Sequence, residues 1–185
     1  MPEVPGEAAA IASLYIEALR RGQSLWFRVA SGSMHPTLRI GEQVRIEPAG
    51  AEQLYVGEIA AFETAQGLSI HRVVQRQHDG ASTQLVEMSD VHLRASLVDG
   101  RAVVGRVAAI RREKRHIDLQ CPIAKKCGAV TASARFRLYQ VHTHNKFTLF
   151  VLSKCSRLIV RICSWCVRLC CSSSIPDVAA QSLDD

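Results

Sequence analysis

The sequence predicts a mainly β domain, a barrel or coiled sheet, with a helix at its N-terminal end and an amphipathic helix at its C-terminal end. Three observations carry this. From residue 43 to 110 short apolar-alternating segments recur at regular spacing with turn signals between them. The first twenty residues are Ala-rich, which favours helix. Between 147 and 171, 17 of 25 residues are apolar or Cys, yet cations interrupt the run at intervals suited to one helix face. The chain of 185 residues is long enough for one domain with appendages. Its divisions are expected at 1–24 (helical segment), 25–112 (β domain), 113–145 (basic linker), 146–171 (amphipathic helix) and 172–185 (polar tail).

Taken in order, Glu7 to about Arg21 reads as a helix with Ile11, Leu14, Tyr15, Ala18 and Leu19 on one face, stopped at Gly22. Leu25 to Ala30 alternates as a strand. The stretch from Ser31 to Ile46 follows: small residues, a turn at Pro36, then a strand with Val44 and Ile46 on one side. A serine before a tight turn and a strand can be held proud of a sheet on a fixed backbone, as a nucleophile must be. Further strands are expected at Glu58–Phe62, Leu68–Gln75, Gln84–Met88, Leu97–Val98 and Val103–Ile110. Asp99-Gly100 reads as a hairpin turn between the last two. Arg111 to Arg115 closes the domain with a charge run, and 116–145 is poorly patterned and reads as a linker with some helix.

Charge is uneven. Residues 1–105 hold 9 Arg against 12 Asp and Glu, a net of −3. Residues 106–185 hold 14 Lys and Arg against 5 acids, a net of +9. A basic C-terminal part suggests an acidic partner or a solvated tail. Lys154, Arg157, Arg161 and Arg168 fall within about 60° of one helix face. A membrane span would bury these cations, so the helix reads as lying on an anionic membrane surface, or packing on its own domain with cations in water. Nucleic acid is not an expected partner, because no reading motif accompanies the basic residues. All seven Cys follow residue 120. Their odd number, with no basic and apolar leader at the N-terminus, suggests reduced thiols in a cytoplasmic, peripherally membrane-associated protein. Cys163-x-x-Cys166 could suggest a metal, but thiols among large apolar side chains read better as small hydrophobes.

Several boxes resemble those of the signal peptidase and LexA-like serine peptidases. Ser33-Met34-x-Pro36-Thr37-Leu38, with Gly41-Glu42-x-Val44, resembles their nucleophile box. Val56-Gly57-Glu58-Ile59-Ala60-Ala61-Phe62 resembles a conserved-pattern Gly-Asp-Ile-Val-x-Phe strand. Ile70-His71-Arg72-Val73-Val74 resembles the general-base box in its histidine form. Met88-Ser89-Asp90 stands where the family reads Lys-Gly-Asp, and Val104-Gly105-Arg106-Val107 resembles the closing strand. The boxes keep family order over residues 25 to 110.

The resemblance implies a LexA-like coiled β-sheet barrel and a serine endopeptidase acting on a peptide or protein substrate, without cofactor or metal. Ser33 is the implied nucleophile. Many members use a lysine base, but residues 1–105 contain no lysine, so the base must be one of His35, His71, His78 and His92. His71 is preferred, from its box and its place on a strand. Asp90 is the implied third group holding the imidazole, with Asp99 as fallback. The Ser33 N–H and the Ser31 hydroxyl are the implied oxyanion donors, and Met34 shapes the turn and the substrate pocket. Two other functions stay open: a non-catalytic binding or maturation partner on the same fold, and a self-cleaving regulator. The second would need an upstream scissile Ala-Gly or Cys-Gly and a DNA-binding domain, and neither is seen before Ser33.

Overall fold

The computed structural model describes residues 5–80, 82–113, 115–142 and 146–174. The architecture is mainly β, a curled antiparallel half-barrel sheet with three helices around it. The main path runs β1 (Leu25–Arg28), β2 (Gln43–Glu47), β7 (Val103–Arg112), β3 (Ile59–Thr64), β4 (Gly67–Asp79), β5 (Ser82–Met88) and β6 (Ala95–Asp99). Strand β7 is the hub. It pairs β2 along one edge; its other edge takes β3 at Val103–Arg106 and β8 (Arg115–Asp118) at Ala109–Arg112. A short strand β9 (Ser172–Ser174) extends β8.

Period-two patterning places the core. Val44 and Ile46 are buried on β2 while their neighbours are half-buried. They join Ile59, Val107 and Ile110 in the largest apolar cluster. Leu54, Phe62, Val73 and Leu85 form a second cluster, and Val74, Val86 and Met88 a third beneath a helix. Each fully buried aliphatic side chain contributes about 1.5–3 kcal/mol over its exposed state. The expected hairpin at Asp99-Gly100 is not formed. Strand β6 pairs β5 at the sheet edge while β7 sits at the centre, so the chain must cross between them. It does so in a single 3-10 turn, Gly100–Ala102, where the Asp99 carboxylate accepts from the Arg101 N–H at 2.8 Å.

Helix α1 (Pro5–Arg20) ends as expected at Gly22, whose positive φ of 90° suits glycine. Gly22 N–H donates to Leu19 O and Gln23 N–H to Ala18 O, closing a Schellman turn. Its buried face differs from the expected one. Ile16 and Leu19 face the core, while Ile11, Leu14 and Tyr15 are exposed. Apolar residues occur on both sides of this helix, so contact with the sheet, not periodicity, selects the inner face. Tyr15 leans edge-on against Phe27 of β1.

The stretch expected as a basic linker, 113–145, holds β8 and a 21-residue helix, α2 (Pro122–His142). Its buried positions are Ala124, Gly128, Thr131, Ala132, Arg135 and Leu138. That is helical spacing, but written mostly in small residues with one arginine and one leucine, so a search for large apolar residues finds little of it. Close approach explains the small residues. A Cβ on Gly57, which has φ +101°, would sit 2.3 Å from Ala129 N; one on Gly128 would sit 2.6 Å from Gly57 O.

Helix α3 (Lys146–Cys170) forms where an amphipathic helix is expected, and packs on α2. Its inner face is Ser156, Val160 and Ser164, all buried. Arg157 and Arg161 are exposed, whereas Arg168 is half-buried and bonded. The side chain of Lys154 and the tail from 175 onward lie outside the described residues. The thiols are not all reduced: Cys121 and Cys171 are joined in a disulfide between the start of α2 and the end of α3. The signal was the pairing of chain ends, which an odd Cys count does not reveal. Among the described residues no helix is long and apolar enough to cross a membrane.

Candidate active site

Residues Ser33–Thr37 form a tight turn between β1 and β2, with a cis peptide at His35–Pro36. The turn is tied down at several points. Leu38 N–H donates to Met34 O, Gly41 N–H to Val29 O, and Val29 N–H to Glu42 O. Ser33 is half-buried, and its carbonyl accepts from Ser89 Oγ at 2.6 Å and from Val91 N–H at 3.1 Å. Met34 and Leu38 are buried beneath the turn.

Ser33, Ser31, Met34 and Leu38 line one cleft with Phe27 and His71, a space of about 330 Å³. The hydroxyls of Ser31 and Ser33 lie 3.2 Å apart. Ser31 is thus within reach of an anion formed at Ser33, as an oxyanion donor would be. Among the described hydrogen bonds, Ser33 Oγ pairs with Ser31 Oγ and not with His71.

His71 lies on β4 opposite Ala60 of β3. Its Nδ1 is 2.6 Å from Glu87 Oε2, and both side chains are largely shielded. A carboxylate only accepts, so Nδ1 carries the hydrogen, and in the neutral imidazole the lone pair is on Nε2. That is the tautomer a general base requires.

Asp90 does not take the role expected of it. Its carboxylate is fully shielded and committed elsewhere. Asp90 Oδ1 accepts from Arg72 Nε at 2.8 Å, and Oδ2 from Arg72 Nη2 at 2.7 Å and from Thr37 Oγ1 at 2.6 Å. Strand geometry is the reason. Successive side chains on β4 point to opposite faces, so His71 and Arg72 diverge. Val73 pairs Glu87, which puts Glu87 diagonal to His71 on the same face. Arg72 pairs Met88, and Asp90 follows two residues later on Arg72's side.

Arg72 also donates to Gly57 O at 2.7 Å and to Thr37 Oγ1 at 3.1 Å. Burial by itself lowers its pKa, but the Asp90 carboxylate overrides this and holds the guanidinium above its ordinary value. Asp90, Ser89 and Arg72 thus brace the back of the serine turn. The front of the turn meets α3, where Arg168 Nη2 donates to Pro36 O at 2.7 Å and Ser164 Oγ donates to the same oxygen at 3.2 Å.

The other candidates are not among the residues that line the Ser33 cleft. His35 and His92 are exposed; His78 is exposed and contacts Thr83 Oγ1 through Nδ1. Asp99 caps its own turn. Sequence reasoning missed Glu87, and the usable signal was its strand parity with His71 once the β4–β5 register is known. Among the described residues no group of three or more His, Cys, Asp or Glu is arranged to hold a metal ion.

The chain matches no family model and none of the curated proteins.

Proposed function

We propose that this chain is a serine endopeptidase of the signal peptidase and LexA-like kind, acting through Ser33, His71 and Glu87. The observation that carries the proposal is the 2.6 Å contact of His71 Nδ1 with Glu87 Oε2 at the cleft that Ser33 also lines. It supplies what a lone strand histidine lacks, a fixed tautomer and a counter-charge for the imidazolium.

Ser33 Oγ attacks the peptide carbonyl carbon while His71 Nε2 takes its proton. The oxyanion is met by the Ser33 N–H and the Ser31 hydroxyl. Collapse breaks the C–N bond, and the imidazolium returns the proton to the leaving amine. Water, deprotonated by the same imidazole, then attacks the ester; the Oγ–C bond breaks, the acid is freed, and the imidazolium returns the proton to Ser33 Oγ. Met34 and Leu38 are buried beneath the turn and line the cleft beside Ser33; a preference for small residues before the scissile bond is what the resemblance to signal peptidases implies.

The test is cleavage of a mixed peptide library read by mass spectrometry. The wild type cuts, and Ser33→Ala and His71→Ala do not, while both variants keep the wild-type circular dichroism. Undiminished cutting by either variant rules the mechanism out. A second reading, a non-catalytic binding or maturation module on the same fold, draws on the bond of Ser33 Oγ to Ser31 instead of His71. A wild type that binds peptides from the library but cuts none would favour it.

A further inference from the structure

Over its described side chains, 156–170, helix α3 turns serines inward and several large apolar residues outward. Its buried stripe is Ser156, Val160 and Ser164, while Leu158, Ile162, Trp165 and Leu169 are each more than half exposed. Those four stand at i, i+4, i+7 and i+11, so they form one continuous stripe about 16 Å long. A helix that gained stability only from its own domain would turn these large side chains inward and leave the serines outside. Contiguous exposed apolar surface of this kind marks a contact with something else.

The surroundings say what that is. Arg157 and Arg161 are exposed along one margin of the stripe. Two clefts run from this margin to the His35–Pro36 turn, and they are lined by Arg157 and Arg161 in one and by Arg39, Arg161 and Arg168 in the other. The one acid among their lining residues is Asp90, already neutralised by Arg72. An occupant must therefore be anionic beside the arginines and apolar beneath the stripe. Nucleic acid meets the first demand and not the second. A second copy of this face would oppose arginine to arginine. A lipid surface with acidic headgroups meets both, and tryptophan is well suited to the headgroup level.

We propose that α3 is a docking helix for an anionic membrane surface. Leu158, Ile162, Trp165 and Leu169 enter the boundary between headgroups and acyl chains, and Arg157 and Arg161 meet lipid phosphates. This holds whether or not the cleft is catalytic. It also fixes the cleft relative to the bilayer, because Ser164 and Arg168 of the same helix hold Pro36 of the serine turn.

The test is co-sedimentation of the full chain with vesicles of phosphatidylcholine alone and of phosphatidylcholine with phosphatidylglycerol, at low and high salt. Trp165 emission is followed as the difference between wild type and Trp165→Phe. The protein partitions onto the anionic vesicles, salt weakens the binding, and the Trp165 component shifts to the blue. Arg157→Gln and Arg161→Gln each lower the partition coefficient about fivefold. Leu158→Asn with Ile162→Asn lowers it on the order of tenfold or more. All four positions are exposed, and unchanged circular dichroism confirms that the variants fold. Failure to bind anionic vesicles overturns the proposal, as does equal binding to both lipids or wild-type binding by the leucine and isoleucine variant. A dimer that forms without lipid, is dissolved by Leu158→Asn, and does not bind vesicles would assign the stripe to a second copy and overturn it equally.

Discussion

Arg72 and Asp90 form a buried two-bond ion pair, Nε to Oδ1 at 2.8 Å and Nη2 to Oδ2 at 2.7 Å. Asp90 reaches onward to Thr37 of the serine turn, and its neighbour Ser89 reaches the Ser33 carbonyl. The loop after β5 is therefore a brace for the serine turn, acting from the face of the sheet opposite His71.

Asp90→Ala leaves Arg72 buried without its counter-charge. Breaking such a pair from one side costs about 3–5 kcal/mol. Urea unfolding should show a free energy of unfolding lowered by that amount. A variant of wild-type stability would remove the brace from the account.

Glu87→Ala should separate from Asp90→Ala in its signature. Glu87 holds His71 and braces no backbone turn. Its removal should lower kcat on the order of 10²–10⁴-fold, with Tm and KM little changed. Steady-state kinetics with thermal melts distinguish the two. Activity unaffected by Glu87→Ala would make the contact incidental.

Gly57 and Gly128 are where α2 meets the entry to β3. Gly57→Ala adds a methyl against backbone at a positive φ, and Gly128→Ala adds one against Gly57 O. Each should destabilise by about 1–3 kcal/mol. The Gly57 variant should also loosen Arg72, whose Nη1 bonds to Gly57 O. Chemical denaturation of both variants checks this.

Cys127 is the thiol whose ionisation is most suppressed. Burial, and then the neighbouring thiol of Cys163, push its pKa from 9.0 up to about 11. At pH 8 its thiolate fraction is about a hundredfold lower than that of an ordinary thiol. Iodoacetamide should label it correspondingly slowly in the folded protein, and labelling should accelerate as pH rises toward 11. The sign for stability follows. Below pH 9 the thiol is neutral in both states; between pH 9 and 11 only the unfolded chain ionises, so stability falls across that window. Mass-resolved labelling against pH tests both statements.

The strands were legible because Val44 and Ile46, and their equivalents on the other strands, alternate between turn residues. The serine turn was legible from Ser33 through Pro36 for the same local reason. What was hidden depended on register and on close approach. Whether Glu87 or Asp90 shares a face with His71 is decided by the pairing of Val73 with Glu87, which no local pattern reveals. Helix α2 was obscured because its inner stripe is made of Ala, Gly and Thr, chosen for contact at Gly57 rather than for bulk. The inner face of α3 was obscured for the opposite reason, since Leu158, Ile162, Trp165 and Leu169 point outward.

The most direct measurement is the rate at which a fluorophosphonate acylates the protein, with the modified residue identified by mass. The account predicts a single adduct on Ser33, formed on the order of 10²-fold or more slowly in His71→Ala. No adduct at Ser33, or an equal rate in the two proteins, would contradict it.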